Sequence, residues 1–76
     1  MRSVDVAFDN GFNDGYREGA IDGRSRHRDD PIAESRYRNA TRGYDRFYGP
    51  VDRYKLSYRE GFVQGYERGY RESWYR

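Results

Sequence analysis

Glycines at Gly11, Gly15, Gly19 and Gly23 recur fifty positions later as Gly61, Gly65, Gly69 and Ser73, always at a step of four. Aligning the two copies also pairs Phe8 with Tyr58, Phe12 with Phe62, Tyr16 with Tyr66 and Ala20 with Tyr70. Glycine is the poorest helix former after proline, and each one inside a helix costs about 0.8 to 1.0 kcal/mol relative to alanine. If six or seven of these glycines are helical, several kcal/mol must be recovered by tertiary contact. A missing Cβ allows that recovery, because a neighbouring backbone or flat ring can approach the helix axis. The expected contact is a tyrosine of one helix lying across the glycines of another.

Punctuation divides the chain into three helices, from about Val4 to Gly23, from about Pro31 to Tyr48 and from about Val51 to Tyr75. Asp30 can cap the middle helix with Pro31 in its first turn, Gly49 suits a left-handed helix end, and Pro50 opens the last helix. No run alternates apolar and polar residues with β-branched enrichment, so strands are not expected. The fold class is therefore all-α. It is one domain, 1–76, with an internal repeat (8–23 and 58–73), arranged as a helical hairpin or three-helix bundle and completed by oligomerisation.

At about 100° per residue, a four-residue step advances about 40° round a helix, so Phe8, Phe12 and Tyr16 form one stripe and Gly11, Gly15 and Gly19 another beside it. The C-terminal copy repeats this with Tyr58, Phe62, Tyr66 and Tyr70 beside Gly61, Gly65 and Gly69. In the middle segment Ala33, Tyr37, Ala40, Tyr44 and Phe47 have the spacing of a heptad seam. The flanking charges invert between copies: Asp9 aligns with Arg59, Arg17 with Glu67 and Glu18 with Arg68. Inverted charges beside like-shaped faces point to the copies pairing, within a chain or between neighbouring chains.

Composition limits the core. Leu, Ile, Val and Phe contribute one, two, four and four residues, 11 of 76, whereas there are nine Tyr and one Trp. So few aliphatic residues in so short a chain call for a partner, and order must come largely from aromatic area. The net charge of +2, from 15 basic and 13 acidic residues, lacks the one-sided excess of a disordered tail. There is no cysteine, so neither a disulfide framework nor a thiolate metal site is available. No stretch resembles a signal-peptide core or approaches the roughly 20 apolar residues of a membrane span. Charged residues among the glycines separate this pattern from membrane-helix dimer motifs.

Chemistry-bearing arrangements are sparse. His27 is the one histidine and lies in the basic run Arg24-Ser25-Arg26-His27-Arg28, where it reads as a solvated loop residue. Without a Cys/His or Ser/His/Asp arrangement, nucleophilic catalysis lacks its usual base, so no catalytic residues, cofactor or metal site are expected. The aspartates match no calcium-loop spacing. Arg38, Arg42 and Arg46 stand four apart in the middle segment, and Arg24, Arg26 and Arg28 add to them. Arginine interleaved with tyrosine suits phosphates and stacked bases. The same residues also serve arginine–tyrosine stacking and ion pairing within a fold.

The segments NGFNDGYREGAIDGRSR, YRNATRGYDRFYG and YKLSYREGFVQGYERGY resemble uncharacterised small Gly/Tyr/Arg-rich proteins of environmental bacteria with repeated G-[FY]-x-x-G-[FY] helices. That resemblance implies export, to the periplasm or beyond, and carries no activity with it.

The sequence thus predicts a non-enzymatic structural or interaction protein that self-associates, as oligomer or fibre. Its self-association face comprises Phe8, Gly11, Phe12, Gly15, Tyr16, Gly19, Tyr58, Gly61, Phe62, Gly65, Tyr66, Gly69 and Tyr70. The alternative is a nucleic-acid or polyanion binder using Arg24, Arg26, Arg28, Arg38, Arg42 and Arg46.

Overall fold

A computed structural model describes residues 3–26 and 34–74 of the chain. Two long helices dominate it, α1 (Ser3–Ser25) and α3 (Val51–Trp74), with a short helix α2 (Ser35–Asn39) and a single 3₁₀ turn (Arg46–Tyr48) between them. No strand occurs among the described residues. The fold is all-α, as the absence of strand patterning implies. The expected caps Asp30 and Pro31 and the residues Ala33, His27 and Arg28 lie outside the described residues.

The helix ends follow local chemistry. Arg26 takes a left-handed φ of 55° and turns its N–H back to the Gly23 carbonyl at 3.2 Å, closing α1. Gly49 has φ 92°, a region that side chains with a Cβ avoid, and Pro50 follows it to start α3. The Tyr54 N–H donates to the Pro50 carbonyl at 3.2 Å, the first bond of that helix.

α1 and α3 lie directly against one another and run in the same direction. Gly11 faces Tyr58, Gly15 faces Phe62, Gly19 faces Tyr66 and Gly23 faces Tyr70, while Gly61, Gly65 and Gly69 face Phe8, Phe12 and Tyr16 in turn. Each repeat copy therefore packs in register on the other, as in a parallel helix dimer made within one chain, and the middle segment carries the chain back from the end of α1 to the start of α3.

The middle segment departs from the expected continuous helix over 31–48. Among its described residues, α-helix is present only at Ser35–Asn39. Ala40 then adopts a left-handed φ of 54°, Gly43 has φ 80°, and the chain turns before the 3₁₀ piece, where Asp45 Oδ1 accepts from the Phe47 N–H at 2.9 Å. The reason lies in what this segment must reach. Arg36 and Arg42 both approach the carboxylate of Asp14, yet six residues along a straight helix would set them about 120° apart around its axis. Breaking the helix at Ala40 brings both to one side and buries the Ala40 methyl completely. The heptad seam survives only as contacts. Tyr37 meets Phe62 edge-on at 6.0 Å and Tyr44 meets Tyr54 at 5.2 Å, whereas Phe47 is 89% exposed.

Candidate interaction faces

A four-residue step on both helices sorts their residues into four lines, of which one faces the partner helix, two flank it on opposite sides and one points outward. The facing line is small throughout. Ala7, Gly11, Gly15, Gly19 and Gly23 on α1, and Ser57, Gly61, Gly65, Gly69 and Ser73 on α3, are all buried. Ala7 and Ser57 extend the repeat one step beyond its glycines, a match of small residues that reading for glycine alone passes over.

Contact along this line is backbone to backbone. A Cβ built on Gly15 would lie 2.0 Å from the Phe62 carbonyl oxygen, and one on Gly65 would lie 2.1 Å from that of Phe12. Gly11, Gly19, Gly23, Gly61 and Gly69 meet the opposite backbone in the same way. This corrects the expected contact: the aromatic residue's backbone, and not its ring, covers each glycine. In-register pairing brings the axes so close that carbonyl oxygens occupy the Cβ positions, and the rings are turned to the flanks. Cα–H groups directed at those oxygens supply part of the return on the lost helix propensity.

Two-fold pairing of parallel helices sends the two aromatic stripes to opposite faces of the layer. On the first face Tyr54, Tyr58, Phe62 and Tyr66 of α3 are 2% exposed or less. The three tyrosine hydroxyls reach the flank of α1 at one constant separation of 44 residues. Asn10 Nδ2 donates to the Tyr54 hydroxyl at 2.9 Å, Tyr58 donates to Asp14 Oδ2 at 2.6 Å, and Tyr66 donates to Asp22 Oδ2 at 2.5 Å. The middle segment covers this face through Tyr37, Ala40, Tyr44 and Tyr48.

Asp14 is the electrostatic centre of the covered face. Its side chain has no exposure, yet it accepts from Tyr58, from Arg42 Nε at 2.6 Å and from Arg36 Nη1 at 3.4 Å. Burial alone would raise its pKa. Hydrogen bonds from Arg42 and Tyr58 and the charges of Arg42 and Arg36 outweigh that, holding the carboxyl below its ordinary value of 3.8. Desolvation first, and then the Asp14 carboxylate, push the Tyr58 hydroxyl well above its ordinary value, so it remains a donor. The Tyr54 hydroxyl donates to the Arg42 carbonyl at 2.6 Å, a second tie on the same turn.

The second face carries the equivalent stripe of α1 in a different state. Phe8, Phe12 and Tyr16 stack on one another with centroids 6.3 Å apart at each step, and all three are partly exposed. On this face Tyr16 donates to Glu72 Oε1 at 2.5 Å, the repeat counterpart of the Tyr66–Asp22 bond. Phe8 and Phe12 lack the hydroxyl to form others. Phe12 shares an open groove with Val63, Gln64, Glu67, Arg68 and Arg71. At the C-terminal end of α3, Tyr70 stacks on Tyr66 at 6.2 Å and on Trp74 at 5.7 Å, with the Arg26 guanidinium 5.0 Å above the Trp74 ring.

Thus the residues of the expected self-association face separate into three groups. Gly11, Gly15, Gly19, Gly61, Gly65 and Gly69 lie between α1 and α3. Tyr58, Phe62 and Tyr66 lie under the middle segment or against α1. Phe8, Phe12, Tyr16 and Tyr70 remain accessible in part.

The expected arginine stripe is not assembled. The turn at Ala40 interrupts the step between Arg38, Arg42 and Arg46, and Arg42 is joined to Asp14 while Arg38 and Arg46 are exposed on separate stretches. Arg24 is exposed and Arg26 lies over Trp74. Two of the inverted charges are engaged elsewhere than across the copies. Arg59 donates to the carbonyls of Tyr37 at 3.1 Å and Arg38 at 2.6 Å, and Arg68 pairs with Glu72 at 2.8 Å, because these positions project away from the facing line.

Among the described residues no group of three or more His, Cys, Asp or Glu side chains is placed to hold a metal ion, and no helix is long and apolar enough to cross a membrane. No protein-family model, curated protein or solved structure matches the chain.

Proposed function

We propose that the chain is a non-enzymatic structural or interaction protein that self-associates through the aromatic part of its glycine–aromatic helices. One observation carries the reading: the two repeat copies are packed on one another, yet the stripe Phe8, Phe12 and Tyr16 stays partly exposed while its counterpart Tyr58, Phe62 and Tyr66 has no exposure. All four large apolar side chains buried among the described residues come from α3, and α1 adds only Ala7 to that set. An amphipathic helix that keeps its rings at the surface has its apolar area in place for a partner.

Self-association accounts for the glycines as well. They give up helix propensity to bring two backbones together, and the result is a two-helix layer with one aromatic stripe on each side, of which the α3 stripe is covered by the middle segment and the α1 stripe stays partly exposed. A layer of this kind either closes as a dimer or propagates as a fibre, depending on the symmetry of the next contact. Light scattering across a wide concentration range tests the reading. Mass above 9.1 kDa that grows with concentration is the expected result. A folded monomer at every concentration would remove it.

A further inference from the structure

We infer that the open face is the contact of a closed two-fold dimer, in which a second copy of this chain lies across Phe8, Phe12 and Tyr16 with its helices running the opposite way. The inference rests on the self-association reading and adds the occupant, the register and the symmetry.

Charge placement selects this occupant. Phe12 lies near the middle of the stripe, with Asn13 on the outer edge of α1 and Gln64 on the near side of α3. In-register pairing of the helices sets Asn13 and Gln64 at nearly the same height. Four residues towards the N-terminal end stand Phe8, Asp9 and Glu60. Four residues the other way stand Tyr16, Arg17 and Arg68. The four charged residues are all exposed. Asp9 and Glu60 thus each have a basic residue at the mirror position about a single neutral centre, roughly 6 Å to either side along the helix, while Glu72 lies further out, beside Arg68 and opposite the exposed Leu56.

A two-fold axis through that centre, perpendicular to the helices, sets Asp9 opposite Arg17, Glu60 opposite Arg68, Phe8 opposite Tyr16, and Phe12 opposite itself. A second copy laid parallel would instead place each α1 over the other copy's α3, opposing Asp9 to Glu60 and Arg17 to Arg68, like charges that disfavour that register. The pair between Arg68 and Glu72 does not hold Arg68 back, since both side chains are substantially exposed, at 61% and 43%, and such pairs are weak.

The other side of the layer shows what such a cover does. Phe62 is capped edge-on by Tyr37 and has no exposure, whereas Phe12, its repeat counterpart, is partly exposed. The second copy takes on the open side the place that the middle segment takes on the covered side. Molecular extents of 40 × 23 Å across the broad face leave room for the about 800 Å² per partner of an ordinary specific interface. Because the face is matched to itself, assembly stops at two copies.

Charge exchange tests the register with substitutions confined to exposed positions. Sedimentation equilibrium on the full chain should give a concentration-dependent dimer. Arg17→Asp with Arg68→Glu should weaken it about tenfold or more, as should Asp9→Arg with Glu60→Arg. Combining all four substitutions should restore a dimer of near wild-type affinity that does not mix with the wild type. A wild type that stays monomeric, leaving the face to a different protein, overturns both this inference and self-association. A dimer or fibre that ignores the charge reversals, or a four-fold variant that is not restored, overturns this register while self-association through another surface stands.

Discussion

Tyr58 and Asp14, 44 residues apart in the chain, are joined by a 2.6 Å hydrogen bond inside the covered face, and Asp14 spends its remaining capacity on two arginines of the middle segment. One carboxylate therefore ties α3 and the middle segment to α1. Asp14→Asn keeps the shape but removes the charge that Arg42 and Arg36 approach, so it should lower stability by about 2 to 3 kcal/mol. Urea denaturation followed by circular dichroism at neutral pH measures this. Acid should have the same target. The folded-state pKa of Asp14 is depressed, so its contribution is complete above its ordinary value of 3.8 and is lost as pH falls through that value towards the folded one. The gap between wild type and Asp14→Asn should accordingly narrow as the solution is taken from neutral to strongly acidic. A gap that is constant with pH would contradict a charged Asp14.

Arg42 and Arg46 are alike on sequence grounds, four apart and both candidates for polyanion contacts, but they differ in what they touch. Arg42 Nε lies 2.6 Å from Asp14, while Arg46 is exposed in the 3₁₀ turn. Arg42→Gln should cost about 1 to 2 kcal/mol by leaving a buried carboxylate short of a charged donor. Arg46→Gln should change stability by less than about 0.5 kcal/mol. Parallel thermal melts compare them, and equal midpoints would count against the role given to Arg42.

Gly15 and Gly65 test the backbone contact between α1 and α3. Alanine at either position would gain about 1 kcal/mol of helix propensity and would stabilise an isolated helix. In the folded chain its methyl would lie 2.0 Å from a carbonyl oxygen at Gly15 and 2.1 Å at Gly65, well short of ordinary van der Waals contact. Neither partner is a flexible side chain, so the helices must separate along their length. Gly15→Ala should therefore destabilise by about 3 kcal/mol or more despite the better propensity. An unchanged or raised melting temperature would show that the axes are not in contact at this level.

Much of this architecture is legible in the repeat. Small residues at a step of four beside aromatics at the same step specify two helices that touch closely, and the boundaries of α1 and α3 follow from Gly49, Pro50 and the last repeat glycine. Direction is harder to read. A four-residue repeat suits parallel and antiparallel neighbours alike, and only the long-range order of contacts, Gly11 on Tyr58 through Gly23 on Tyr70, separates them. The middle segment misleads because Tyr37, Ala40 and Tyr44 have helical spacing, although their burial is achieved by a turn that local propensity does not encode. Asp14 is similarly hidden. It is one of many aspartates in the sequence, and its weight comes from Tyr58, Arg36 and Arg42, all distant along the chain. A signal was available in the constant spacing of Asn10, Asp14 and Asp22 from Tyr54, Tyr58 and Tyr66.

Tyr66 and Tyr16 occupy equivalent positions in the two copies and make equivalent bonds, to Asp22 and to Glu72, but on faces of different exposure. The Tyr66 ring has no exposure and Asp22 is half-buried, so deleting the hydroxyl strands a carboxylate with little water to replace it. Tyr66→Phe should cost about 1 to 2 kcal/mol. The Tyr16–Glu72 bond is exposed, and water can take the place of the hydroxyl, so Tyr16→Phe should cost less than about 0.5 kcal/mol. Chemical denaturation at low protein concentration, where association does not contribute, isolates the two effects. Equal losses would mean that the two faces of the layer are equally covered, and the distinction between a filled side and an open side would fall with them.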